Sequence, residues 1–276
     1  MTNSASPVEH NVEVAGASLA SQVTDSSAAP SAGSGHLIWG HGLTSSMASE
    51  DEMPLIDWGL AAPSHRVIRY DARGHGHSES TGGEFDYRWD RLAIDQLALA
   101  DALDVDRYTA AGASMGAATA LFAALAAPER IDRLILVIPP TAWETRREQV
   151  DLYATMADLV EEGRTDVLVR GVDASPLPDP LDERARDRQK RTLTTTDPTR
   201  LARVLRGAGQ ADLPSPDDIA SIRQPALILA WTGDTGHPVS TAERLAELLS
   251  ESELRVASTA DELAAWSPAV ADFLDR

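Results

Sequence analysis

The sequence predicts an α/β fold, with a mostly parallel central sheet, helices on both faces and an inserted helical cap. Three observations carry that reading. Short apolar runs alternate with stretches of helical spacing along most of the chain. A charged block, residues 141–213, interrupts the alternation and contains no clear strand-like run. A glycine-flanked serine, Ser114 in "GASMG", stands between a strand-like run and an Ala-rich helical run. The core is therefore expected from residues 1–140 and 214–276, with 141–213 inserted as the cap.

The elements follow in order. Residues 10–25 alternate apolar and polar side chains and read as one or two early strands. "SSAAPSAGSG" (26–35) is a loop by composition. "HLIWG" (36–40) and "RVIRYD" (66–71) are short buried-strand runs. Residues 92–105 carry Leu92, Ile94, Leu97, Leu99, Leu103 and Val105 mostly on one helical face. Residues 107–131 read as strand, tight turn and Ala-rich helix, and "RLILVIPP" (133–140) as a buried strand stopped by two prolines. The cap opens with a long helical stretch, 143–163, and is interrupted at "DASPLPDP" (173–180). Strand texture returns in "PALILAW" (225–231), followed by a helix at 240–250, a short strand at 253–257 and a last helix at 261–276.

Composition narrows the function. The formal net charge is −19, so a phosphate backbone or an anionic membrane surface is repelled, and neither nucleic acid nor membrane is an expected partner. There is no cysteine, which removes thiolate catalysis, disulfides and Cys-based metal sites. The first residues lack a basic start and an apolar stretch, and no run approaches a membrane span, so a soluble cytoplasmic protein is expected. No cofactor and no metal site are expected. Oligomeric state is not legible.

The chemistry centres on "GASMG", residues 112–116, a G-x-S-x-G pattern. A strand turning sharply into a helix lifts one serine hydroxyl above the sheet edge, and flanking glycines remove side chains that would clash there. The helix N-terminus offers free N–H groups to a developing oxyanion. Two further motifs keep it company: "WGHGLTSS" (39–46) and "RYDARGHGHS" (69–78).

Taken in order around "GASMG", these motifs resemble the α/β-hydrolase superfamily over roughly residues 35–276. The resemblance implies Ser114 as nucleophile and the backbone N–H groups of Leu43 and Met115 as the oxyanion hole. It implies an acid after the strand at 225–231, where Asp234 stands, and a histidine later in the chain. The usual place for that histidine, within "VASTADELAAW" (256–266), holds none. Six of the seven histidines precede Ser114, and His237 alone follows it. His237 is therefore the expected base if the chain order holds. It also reads as an ordinary loop residue before a helix, with Pro238 in the first turn and Ser240 as a cap. Asp261 or Glu262 in the histidine-free loop, or His41 or His75 from the opposite side, are alternative bases.

The other candidates have bland readings. His41 reads as a brace for the oxyanion loop and is also placed among the pocket residues. His75 and His77 read as packing in a glycine-rich loop rather than as metal ligands. Asp71 and Arg73 read as a structural ion pair. In the cap, Trp143, Tyr153 and Met156 supply an apolar stripe that serves as core, as substrate wall, or as both. The expected function is a serine hydrolase of a small-molecule carboxylic ester or lactone, with a non-standard or impaired base. The alternatives are a non-catalytic binding protein on the same scaffold, or a lyase or cyclase.

Overall fold

Strand register sets the architecture. The computed structural model describes residues 7–26, 35–79 and 82–276, so most of the expected loop at 26–35 lies outside the described residues. Eight strands form one sheet: β1 (Val8–Val14), β2 (Ala17–Thr24), β3 (His36–Gly40), β4 (Arg66–Tyr70), β5 (Tyr108–Ala113), β6 (Ile131–Val137), β7 (Ala226–Trp231) and β8 (Ser252–Ala257). Their order is β1-β2-β4-β3-β5-β6-β7-β8. β1 and β2 form an antiparallel hairpin around the positive-φ Gly16, and β2 also pairs antiparallel with β4. All later pairings are parallel. Gly40 pairs with Gly112, and Trp231 with Ala257, so the carboxyl ends of β3, β5, β7 and β8 open toward one side.

The helices are α1 (Met47–Glu52), α2 (Trp58–Ala61), α3 (Trp89–Ala102), α4 (Met115–Ala126), α5 (Arg146–Glu161), α6 (Thr165–Ala174), α7 (Glu183–Thr195), α8 (Pro198–Gly209), α9 (Pro216–Ser221), α10 (Val239–Leu248), α11 (Ala260–Ala264) and α12 (Trp266–Leu274). Alternate strand residues feed two cores, as a pleated sheet with both faces covered requires. Ile38, Ile68, Ala110, Leu136 and Ile228 pack with α3, α4 and α10. Leu37, Val67, Ala111, Ile135 and Leu229 pack with α2 and α12 on the other face. All six residues of β7 are buried. Each fully buried Leu or Ile there contributes about 2 kcal/mol of apolar transfer.

Between β6 and β7, α5 to α8 build a core of their own from Ala157, Val160, Leu193, Leu201 and Leu205. Two expectations are corrected. The last segment is two helices, α11 and α12, rather than one. Ile94 does not join the buried face of α3, since it is 48% exposed. Among the described residues, no helix is long and apolar enough to cross a membrane.

Candidate active site

The turn from β5 into α4 is made by close approach. A Cβ at Gly112 would lie 2.3 Å from the Gly116 carbonyl carbon, and one at Gly116 would lie 2.0 Å from the Gly40 oxygen. Only glycine fits either position, so the helix start can press against the ends of β3 and β5. Ser114 between them has φ 51 and ψ −108, a strained conformation for a residue with a side chain. Its N–H donates to Val137 O at 2.9 Å, which ties the strained residue to β6. Ser114 is 8% exposed.

The loop after β7 comes up beside it. Gly233, at φ 79, turns the chain. The Gly236 N–H then donates to Asp234 Oδ1 at 2.9 Å, closing a tight aspartate turn. His237 Nδ1 donates to Asp234 Oδ2 at 2.8 Å, while its Nε2 accepts from Ser114 Oγ at 2.8 Å. The sequence left open whether residues three apart could reach the serine and keep the Asp–His bond. The turn at 233–236 meets both demands. Ser240, the expected cap, lies inside α10, and Pro238 holds the N-cap position.

Asp234 is set for negative charge. Burial works against ionisation, but the His237 imidazole, the Trp231 indole N–H and the Gly236 N–H outweigh it and hold the carboxyl at about 2. Trp231 Nε1 donates to Asp234 Oδ2 at 2.8 Å. Sequence reasoning passed over this tryptophan because the end of a buried strand reads as core. Its ring does stack on Trp266 at 5.9 Å, so one side chain packs and donates at once. The loop is also tied to the start of the inserted segment, where the Thr141 N–H donates to Gly236 O at 3.1 Å.

The loop after β3 flanks the serine. A Cβ at Gly42 would lie 3.6 Å from Ser114 Cβ, so the backbone leading to Leu43 runs against the Ser114 turn. His41 is 1% exposed, and both its ring nitrogens are engaged. Nδ1 donates to Gly42 O at 2.8 Å, and Nε2 accepts the Ala72 N–H at 2.9 Å. Burial lowers its pKa to about 4, so it is neutral and braces the two loops. With neither nitrogen free, His41 does not meet its expectation as a pocket residue or base.

Several neighbours need correction. Arg73 pairs with Asp95 on α3, at 2.7 and 2.8 Å, and not with Asp71. Asp71 instead accepts the backbone N–H groups of Met47 and His77, at 2.7 and 2.8 Å. Among the described residues, no group of three or more His, Asp or Glu could hold a metal ion. In the loop after β8, Glu262 Oε2 accepts from Ser258 N, Ser258 Oγ and Thr259 N, which commits it to capping α11. Asp261 is exposed in the first turn of the same helix.

Trp143 donates its indole N–H to Pro214 O at 3.0 Å, and Tyr153 and Met156 pack on the core of the inserted helices. The guanidinium of Arg146, missed by sequence reasoning, sits 4.3 Å over Trp89 and 5.3 Å over Tyr153. A cavity of about 440 Å³ lies elsewhere, between the loops at 44–49 and 74–77 and helices α7 and α8. It is not lined by Trp143, Tyr153 or Met156, so the expected wall residues pack rather than frame that open volume.

A glycine-pinned serine turn, a histidine bonded to it and a carboxylate behind that histidine, all at the carboxyl ends of a parallel sheet, define the class. The model for the α/β-hydrolase fold matches residues 35–268, and the chain belongs to that family. It is similar to N-formylmaleamate deformylase of Pseudomonas putida, 30% identical over 256 residues, covering 88% of this chain and 90% of that protein. Among solved structures it resembles the enol-lactonase from Burkholderia xenovorans, with TM-score 0.76 and 22% identity, covering 94% of this chain and 97% of that one. A thermophilic esterase from Thermogutta terrifontis superimposes with TM-score 0.74 at 18% identity, covering 98% of each chain.

Proposed function

We propose that the protein is a serine hydrolase of carboxylic esters or lactones, working through an acyl-enzyme on Ser114. One observation carries the reading: the unbroken line from Asp234 Oδ2 to His237 Nδ1, and from His237 Nε2 to Ser114 Oγ, with 2.8 Å at both steps. A serine hydroxyl needs an adjacent base, and the base needs a group to fix its tautomer. The ionised Asp234 holds the Nδ1 proton, so the Nε2 lone pair points at the hydroxyl.

Ser114 Oγ attacks the carbonyl carbon as His237 Nε2 takes its proton. The N–H groups of Met115 and Leu43 receive the oxyanion. The tetrahedral intermediate collapses, and His237 returns the proton to the departing alkoxide. Water, deprotonated by His237, then attacks the acyl-enzyme, and the carboxylic acid leaves with Ser114 restored. The helices inserted between β6 and β7 form a cap over this side of the sheet. The base is non-standard in its place on the chain, and hydrogen-bond reach speaks against its being impaired. The deformylase and lactonase names among the relatives fit acyl chemistry.

The test is turnover of p-nitrophenyl acetate together with labelling by a fluorophosphonate. The expected result is one label per chain on Ser114, with both turnover and label lost in Ser114→Ala. A folded protein that takes no label and turns over no ester would instead be a binding protein on this scaffold.

A further inference from the structure

We propose that the cavity of about 440 Å³ between the core loops and the cap seats a carboxylate on the acyl tail of the substrate. This inference rests on the hydrolase reading and adds to it the class of substrate. The volume is that of a small-molecule site.

The charge of its wall runs against the rest of the molecule. The chain carries a formal net charge of −19, yet Arg188, Arg191 and Arg200 converge here. Arg191 is committed to Glu52, while Asp197 spends Oδ1 on the Arg200 backbone N–H at 2.9 Å. Arg188 and Arg200 each donate one Nη1 to a backbone carbonyl, Met53 O at 3.2 Å and Gly76 O at 2.9 Å. Neither forms an ion pair among the described residues. A guanidinium has five N–H donors in a planar fork, so both retain capacity suited to a carboxylate. Burial opposes the charge on Arg188 more than the nearby Glu50 and Glu52 favour it, and an incoming anion relieves that cost.

A second observation points to the same volume. His75 lines the cavity, is 5% exposed, and its Nε2 has no hydrogen-bond partner. Its Nδ1 donates to Arg73 O at 3.0 Å, leaving Nε2 as a bare acceptor. A buried acceptor without a partner is rare and calls for a donor, such as a water or a substrate hydroxyl beside the carboxylate, because an ionised carboxylate only accepts.

Position assigns the acyl side. The cavity wall begins at Thr44, which follows the expected oxyanion residue Leu43 and has φ 58. Thr44 Cα lies within about 7.6 Å of Gly42 Cα by chain length alone, and Gly42 abuts Ser114. The leaving alcohol must sit by His237, which hands it a proton; Ser114, Leu43, Met115 and His237 all stand outside the cavity wall, and Thr44 is the wall residue next to them along the chain. The acyl tail therefore runs past Leu43 toward Arg188 and Arg200.

The experiment compares p-nitrophenyl hydrogen glutarate with p-nitrophenyl valerate, which match in acyl length and differ in terminal charge. The expected kcat/KM ratio favours the glutarate by about tenfold or more, as charge-assisted hydrogen bonds allow. In Arg188→Gln and Arg200→Gln the ratio falls toward one through a raised KM for the glutarate, and Arg200→Lys retains part of it. A wild-type ratio near one, or a ratio unmoved in both glutamine variants, overturns the proposal. Calorimetric titration of free glutarate into Ser114→Ala separates this outcome from the hydrolase reading. Binding that is lost on adding Arg188→Gln and Arg200→Gln supports the seat even if no ester is turned over. Absence of binding to Ser114→Ala counts against it even if esters are hydrolysed.

Discussion

The loops that leave β7 and β8 lie side by side, because Trp231 and Ala257 are register partners at the ends of the two strands. They are built for different ends. The first spends four residues on a turn that delivers Asp234 and His237 to Ser114. The second enters α11 at once through the Thr259 capping box, and Glu262 is consumed by that cap. In many arrangements of this kind acid and base would come from separate strand ends. Here one strand end carries both Asp234 and His237, the acid and base of the proposed mechanism, and its neighbour is left to structure. What matters to Ser114 is which loop folds back over it, rather than how many strands share the work.

Substitutions in the two loops should therefore separate cleanly. In the first loop, Asp234→Asn is expected to lower kcat for p-nitrophenyl acetate by about 10²- to 10⁴-fold, because the amide cannot hold the imidazole in the required tautomer and charge state. The same variant sharpens the comparison in acid. Asp234 is held at about 2 against an ordinary 3.8, so the unfolded chain binds more protons between those values. Its stabilisation is complete above 3.8 and is lost as pH falls through about 2. Acid unfolding of Asp234→Asn, followed by circular dichroism, should show a shallower slope over that window.

Trp231→Phe keeps the ring and deletes the indole donor to Asp234. A loss of about 3- to 10-fold in kcat, with KM little changed, is expected, the size of an ordinary net hydrogen bond, because Gly236 and His237 still hold the carboxylate. An unchanged kcat would mean that the imidazole and Gly236 suffice to place the carboxylate. In the second loop, Thr259→Ala removes the side-chain acceptor at the start of α11. Urea denaturation should register about 1 kcal/mol of lost stability with kcat unaltered. A large fall in kcat there would dissolve the distinction between the loops.

Legibility in the sequence followed the same division between local and assembled features. The strands were readable because β3, β5 and β7 are buried on both faces and so are continuous apolar runs. The turn at Ser114 was readable because the close approaches at Gly112 and Gly116 admit no other residue. His237 was readable as the last histidine, but its reach was not, since that depends on how Gly233 and the Asp234 turn fold the loop back. Arg73 was misassigned to Asp71 because neighbours in sequence look like partners. The partner is Asp95 on α3, 22 residues away. Trp231 and the arginine-lined cavity were invisible for a related reason. A donor on a core tryptophan, and a wall drawn from the 44–49 loop, the 74–77 loop and the inserted helices α7 and α8, exist only after folding.

The central claim is that His237 is the proton carrier for Ser114, and the most direct measurement is kcat of His237→Ala on p-nitrophenyl acetate, with folding checked by circular dichroism. The account predicts a fall of at least about 10²-fold, as for removal of a general base. A rate within about twofold of the parent protein would contradict it, since that difference is under ~0.5 kcal/mol of barrier.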